Sequence, residues 1–185
     1  MTKEPIIVTP GEPNSIFFEI FFKSIKFNNY KSPIIIFGSK KLLMAQMKKL
    51  GFKFDINLIA NDFKNFKILN NKKINIINVE YNFKKTFEPI SKKSNKYIEN
   101  SFNAALLYLK KNKLTKFING PISKKYFLNG KSLGITEYLA KKVKIKNDFA
   151  MLIFNKKLSV SPLTTHLALK YVNKNISQKK ICNHV

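Results

Sequence analysis

Pro33-Ile34-Ile35-Ile36-Phe37-Gly38-Ser39 reads as a strand with no polar face. Side chains alternate across a strand, so an unbroken apolar run must be covered on both sides. That is the habit of strands in parallel sheets flanked by helices. Gly38 turns the chain, and Ser39 is placed to cap a helix over 40–50. Leu42, Leu43, Met47 and Leu50 form one face of that helix, and Gly51 ends it. Pro5-Ile6-Ile7-Val8-Thr9 repeats the pattern as a short, β-branched strand bounded by Pro10-Gly11. The loop from Thr9 to Ser15 follows, with Asn14 or Ser15 as a helix cap and Glu19 near the first turn. The helix over 16–26 is apolar on most sides. Two strand–loop–helix units in succession predict an α/β chain with three layers, α/β/α, and a mostly parallel sheet.

The remaining chain extends this scheme. A third strand is expected over 54–59 and a fourth over 74–79, with a polar, lysine-rich loop or short edge element at 61–73 between them. Ser91 or Ser94 opens the longest helix, which runs to about Asn112. Tyr97, Ile98, Ser101, Phe102, Ala105, Leu106 and Leu109 recur in it at helical spacing, which marks a core stripe. A strand over 116–118 ends in Asn119-Gly120-Pro121-Ile122-Ser123-Lys124. A helical stretch over 125–128, a flexible connection over 129–134 and a helix beginning Gly134-Ile135-Thr136-Glu137-Tyr138-Leu139-Ala140 follow. Segments 149–154 and 158–163 read as a hairpin turned at Asn155-Lys156-Lys157, the antiparallel portion of the sheet. Then come Leu163-Thr164-Thr165-His166-Leu167 and a short helix to Val172. Ser177 caps a last helix that reaches Val185 without a stop signal, so the chain is expected to be part of a longer protein. The change of layer falls near Gly120 to Gly134, which suggests a first domain over 1–120 and the start of a second over 121–185.

Composition narrows the function. The chain is 185 residues long and 44% hydrophobic, enough for a real core. No run of ~18 apolar residues exists, so no membrane span is expected. A single cysteine, Cys182, excludes an internal disulfide and fits a cytoplasmic location, and the first residues lack the features of a signal peptide. The net charge is +25, yet all 35 basic residues are lysine. Arginine is the preferred residue for bidentate phosphate and base contacts. Its absence, and the scatter of the lysines along the chain, indicate a solvated basic surface and no specific nucleic-acid partner.

Three loops fall at sheet rims, where open α/β sheets bind ligands. They offer Thr9, Glu12, Ser123, Lys124, Thr164, Thr165 and His166. Thr136 sits at a helix N-terminus, either as a plain cap or as an anion contact. His166 is either a structural imidazole or a metal ligand. One histidine cannot hold a catalytic ion, which needs about three protein ligands. His184 reads as a surface residue. No Gly-x-Gly-x-x-Gly, P-loop, His-Glu-x-x-His or zinc-spaced cysteine pair is present. The residues point to a polar, lysine-rich cleft for a small anion.

Four stretches in order resemble the N-terminal half of 4-hydroxythreonine-4-phosphate dehydrogenases: Val8-Thr9-Pro10-Gly11-Glu12-Pro13, Asn119 to Lys124, Gly134 to Leu139, and Leu163 to Leu167. The resemblance implies a fold like isopropylmalate and isocitrate dehydrogenases, incomplete at the C-terminus. It implies a homodimer with the active site between subunits, NAD (or NADP) as hydride acceptor, and a divalent metal, Zn, Mg or Co. The family oxidises the C3 hydroxyl of 4-phosphooxy-L-threonine, and the β-keto acid loses CO2 to give 3-amino-2-oxopropyl phosphate, in pyridoxal phosphate (vitamin B6) synthesis. By resemblance His166 is the first of three metal histidines, and Thr136 is the substrate-touching threonine of a Gly-His-Thr-Glu motif. Lys124, closing the second stretch, joins Thr136 as a candidate substrate contact. Two departures stand out. The motif histidine is Ile135 here, which removes a polar contact. The family's Ala-Gly-Ile-Gly-Pro is Asn14-Ser15-Ile16-Phe17-Phe18, which places bulk where glycine allows close approach. With one metal histidine the chain alone is expected to be inactive. The alternatives are a sister dehydrogenase acting on threonate or erythronate 4-phosphate, and a non-catalytic truncated remnant.

Overall fold

The computed structural model describes residues 4–130, 132–145, 149–165 and 167–184. They fall into two compact units, Met1–Phe127 and Leu128–Val185.

The first unit carries the sheet. Its elements are β1 (Ile6–Thr9), α1 (Phe17–Phe27), β2 (Ile34–Gly38), α2 (Lys40–Lys49), β3 (Ile56–Leu58), β4 (Ile74–Asn78), α3 (Asn95–Asn112) and β5 (Phe117–Asn119). The strand order is β3-β4-β2-β1-β5. Every pairing is parallel, with Ile7 opposite Ile35 and Phe117, and Ile36 opposite Ile76. The apolar runs divide as the pleat requires. Ile7, Ile35, Phe37 and Ile77 join Ala105, Tyr108 and Leu109 of α3 on one face. Val8, Ile36, Ile74 and Ile76 join Phe18 and Phe22 of α1 and Leu42 and Leu43 of α2 on the other. The unbroken apolar strands therefore lie between two helical layers. Each fully buried Ile, Leu or Phe contributes about 1.5–3 kcal/mol relative to exposure.

Asn75 interrupts β4 with a buried polar side chain, and its bonds are met. Its Nδ2 donates to Ile34 O (3.1 Å) and Asn70 O (2.9 Å), and its Oδ1 accepts from Asn57 Nδ2 at 3.0 Å. Asn71 Nδ2 donates to Tyr30 O (2.9 Å) and Ser32 O (2.8 Å), and its Oδ1 accepts from Ile34 N at 2.9 Å. These amides fasten the start of β2 to the turn before β4.

The helix ends differ from simple capping expectations. Ser39 caps α2 as anticipated, accepting from Leu42 N at 3.2 Å. Ser94, in contrast, donates its hydroxyl to Glu12, and it is Ser91 that caps the helical turn Lys92–Ser94 leading into α3, accepting from Lys93 N at 3.4 Å. Helix α1 starts uncapped, with Ser15 Oγ accepting from Phe17 N at 3.3 Å. The third strand is shorter than its apolar pattern. Phe54 leaves the ladder to pack with Phe22 and Phe52, because an edge strand has only β4 to hold it.

The second unit holds α4 (Ile135–Lys142) and α5 (Gln178–His184). The expected hairpin reduces to one antiparallel bridge, Ile153 with Val160, closed by bonds of 2.8 and 2.9 Å. An isolated two-stranded ladder is marginal unless an apolar layer covers it. Leu152, Phe154 and Leu158 are exposed here, and among the described residues of this unit only Leu128 and Ala140 are buried hydrophobics. No helix among the described residues is long and apolar enough to cross a membrane.

Glycine is required where the loops after β1 and β5 meet. A Cβ on Gly120 would lie 2.0 Å from Pro10 O and 2.7 Å from Phe17 Cδ2, whereas Gly51 faces open space. Gly120→Ala is expected to cost at least about 3 kcal/mol, since backbone blocks any relaxation. Gly51→Ala should cost about 1–2 kcal/mol, from its positive φ of 73° alone. Urea unfolding midpoints of the two variants check the contrast.

Candidate functional site

Two places gather the polar groups singled out by sequence, one in each unit. The first is the C-terminal rim of the sheet. Gly120 N donates to Thr9 O at 2.7 Å, and Glu12 N donates to Pro121 O at 2.7 Å. Gly11, at φ +71°, permits this crossing, for a Cβ there would lie 2.3 Å from Pro121 O. The crossing turns Glu12 inward, where it is 2% exposed. Ser94 Oγ donates to Glu12 Oε2 at 2.9 Å, and Asn14 N donates to Oε1 at 3.3 Å. Asn14 Oδ1 in turn accepts from Glu88 N at 3.0 Å. Thr9 is fully buried. Glu12 thus fastens the loop through its carboxylate and Thr9 through its backbone carbonyl, while the buried Thr9 hydroxyl meets no partner among the described residues.

The neighbouring turn between β2 and α2 is closed as well. Ser39 N donates to Tyr97 Oη (3.1 Å), Lys40 N to Asn78 Oδ1 (2.8 Å), and Leu42 N to Ser39 Oγ (3.2 Å). These are the N–H groups that an anion at a helix N-terminus would use. These three donors are met by protein groups. Burial pushes the Tyr97 phenol up to about 12, only partly offset by the bond from Ser39 N. The Tyr81 ring lies 4.6 Å from that of Tyr97. Its phenol is also raised, by burial first and then by the charges of Glu12 and Glu88. Ser123 Oγ accepts from Tyr126 N at 3.1 Å and so opens the short helical turn Lys124–Leu128. Lys124 stands exposed on that turn.

The second place is a cleft of about 760 Å³ within the second unit, lined by Thr136, Glu137, Thr165, Lys179, Lys180 and His184 among others. Gly134 occupies the cap position of α4, with no side-chain cap, and Thr136 lies inside the first turn. The plain-cap alternative for Thr136 therefore does not describe it. Thr165 Oγ1 donates to Glu137 Oε1 at 3.4 Å, joining the two motif stretches. Thr164 is half-buried beside it. His166 lies outside the described residues. Among those residues no group of three or more His, Cys, Asp or Glu side chains is placed to hold a metal ion.

His184 was not marked as a site residue by its sequence context, yet it is half-buried and lines the cleft. A signal was present in the spacing. Ser177, Lys180 and His184 follow at i, i+3 and i+7, which puts them on one helical face. Lys124 belongs to the first unit and Thr136 to the second.

A profile of the family described as "Pyridoxal phosphate biosynthetic protein PdxA" matches residues 29–185. The 4-hydroxythreonine-4-phosphate dehydrogenase of Sulfurihydrogenibium sp. (strain YO3AOP1) is 31% identical over 185 aligned residues, which cover 97% of this chain and 55% of that protein. The enzyme of the same name from Wigglesworthia glossinidia brevipalpis is 26% identical, covering 95% and 54%. The crystal structure of the Klebsiella pneumoniae 4-hydroxythreonine-4-phosphate dehydrogenase superposes with a TM-score of 0.78 at 20% identity, covering 98% of this chain and 57% of that one. At that identity the likeness is one of fold. The chain spans about half the length of the curated relatives it matches.

The raised phenol of Tyr97 sets a pH dependence. Its folded value of about 12 lies above the ordinary 10.0. Its stabilisation is therefore fully present below pH 10 and lost as pH rises towards 12. Tyr97→Phe leaves the buried Ser39 N–H without an acceptor and is expected to cost about 1–3 kcal/mol at neutral pH. Alkaline and urea unfolding of the variant, compared with the parent chain, check both statements.

Proposed function

The chain belongs to the pyridoxal phosphate biosynthetic protein PdxA family, and on that footing we propose that it forms the N-terminal half of a 4-hydroxythreonine-4-phosphate dehydrogenase. The substrate is 4-phosphooxy-L-threonine. Its C3 hydrogen leaves as hydride, its C3 hydroxyl loses a proton, and the resulting β-keto acid releases CO2 to give 3-amino-2-oxopropyl phosphate. NAD (or NADP), when bound, accepts the hydride. The observation that carries the reading is the placement of Thr136. Its hydroxyl lies in the first turn of α4 with the cap position left to Gly134, and it lines a cleft that also carries Lys179 and Lys180. First-turn N–H groups, a hydroxyl and ammonium groups together suit an anionic substrate group. Lys124, exposed at the end of the second motif, is the further substrate contact in this reading.

In this reading His166 would be one ligand of a divalent ion, Zn, Mg or Co. An ion of this kind would supply Lewis-acid stabilisation of negative charge on the substrate oxygen. A catalytic ion needs about three protein ligands. The described residues gather no such set, so no step is assigned to an ion held by this chain alone. The reading places the protein in the cytoplasm and in a homodimer. Ile135 favours a second substrate class. This half-buried apolar side chain stands beside Thr136, where a smaller, less polar substrate end would fit. Threonate or erythronate 4-phosphate is the corresponding alternative.

The test supplies what the chain does not span. The 185-residue chain is coexpressed with the C-terminal part of the Sulfurihydrogenibium relative, and NADH formation is followed with each 4-phosphate. Turnover of 4-phosphooxy-L-threonine, lowered about tenfold to a hundredfold in kcat/KM by Thr136→Ala, is the expected result. Turnover of threonate or erythronate 4-phosphate alone would establish the sister enzyme. No turnover of any of them, in a complex shown to assemble, would leave the non-catalytic remnant.

A further inference from the structure

Ser161 ties the bridge segment to the last helix in a way that counts protons. Its Oγ lies 2.8 Å from Met151 O and 2.7 Å from His184 Nε2. A hydroxyl has one proton to give, and a carbonyl oxygen can only accept. The Ser161 proton therefore goes to Met151 O, and His184 must donate from Nε2. In the neutral ring this leaves the lone pair on Nδ1. The imidazole is half-buried and forms part of the cleft wall with Thr136, Glu137 and Thr165.

The charged groups of that wall divide the work. Lys179 and Lys180 bring positive charge, with Lys180 Nζ also donating to Asn175 O at 3.0 Å. Glu137 is partly engaged by Thr165 Oγ1. An anion alone finds donors in this cleft and has no use for an acceptor nitrogen. A ligand with both an anionic end and a hydroxyl has a use for it.

We infer that His184 is a positioning residue of the cleft, whose Nδ1 accepts a hydrogen bond from the hydroxyl of a small phosphorylated hydroxy acid. The inference rests on the substrate class proposed above. Ser161 acts through His184 by fixing its tautomer.

The experiment uses the full 185-residue chain, labelled with nitrogen-15 at its two histidines, which His184→Asn serves to assign. The probes are inorganic phosphate and 4-phosphooxy-L-threonine. The expected spectrum shows His184 protonated at Nε2 and bare at Nδ1. The phosphorylated hydroxy acid should shift the Nδ1 signal, and inorganic phosphate should bind without shifting it. His184→Ala should weaken the hydroxy acid about tenfold and leave phosphate unchanged. His184→Asn, which returns an acceptor near the Nδ1 position, should recover part of the loss. Ser161→Ala should mix the tautomers and weaken the hydroxy acid only. A proton found on Nδ1 in the neutral ring, or tight binding that leaves His184 silent, overturns this inference alone. Binding of neither probe overturns it together with the substrate class on which it rests.

Discussion

Two backbones pass within hydrogen-bond distance where Pro10-Gly11 meets Gly120-Pro121, and the first unit is arranged around that crossing. Paired bonds of 2.7 Å join the loops that follow β1 and β5. No side chain fits between them, since a Cβ on either glycine would stand 2.0–2.3 Å from a carbonyl oxygen of the other loop. The crossing pins the right-hand edge of the sheet, aims Glu12 into the interior, and brings the start of α3 under the loop through Ser94. Three distant stretches of chain are thereby held by contacts that tolerate almost no volume change.

The rim built on this crossing is unusually closed. Parallel sheets commonly leave their C-terminal edge open for ligands. Here Ser39 N, Lys40 N and Leu42 N are all met by protein groups, and Glu12 receives Ser94 and Asn14. These polar residues have a structural task. Each buried donor or acceptor must find a partner or cost about 1–3 kcal/mol. Gln46 Nε2 donates to Pro13 O at 2.7 Å and to Thr86 O at 3.2 Å for the same reason, whereas its Oε1 is buried without a partner among the described residues.

The second unit has the opposite character. It keeps few apolar side chains from water and exposes many, Phe154 and Leu169 among them. Its bridge and short helices frame a cleft whose walls set Glu137, Lys179 and Lys180 beside apolar side chains such as Leu133, Phe149 and Leu163. Relatives of about twice the matched length carry further chain, and a unit so thinly covered is where such chain has apolar surface to bury.

The unbroken apolar runs at Ile34–Phe37 and Ile74–Ile77 determined by themselves that the sheet is parallel and covered on both faces, because a period-two structure leaves such runs no exposed side. Ser39 and Gly51 marked the ends of α2 for equally local reasons: a hydroxyl that meets a first-turn N–H, and a residue free to take positive φ. The order of four short motifs was enough to indicate the family, since order along the chain is itself a property of sequence. Only the tertiary structure decided what those motifs do. Thr9 and Glu12 look like rim ligands in a string of letters, and become interior residues because a loop more than a hundred residues away passes over them. Thr136 reads as a possible helix cap until Gly134 is seen to hold that position. His184 reads as a surface residue until Ser161 is found beside it. The hairpin over 149–163, an apolar run and a short alternating segment, formed one bridge, because strand propensity needs an apolar layer to pack against. In each case the deciding partner is remote in sequence, and no local pattern specifies which remote group arrives.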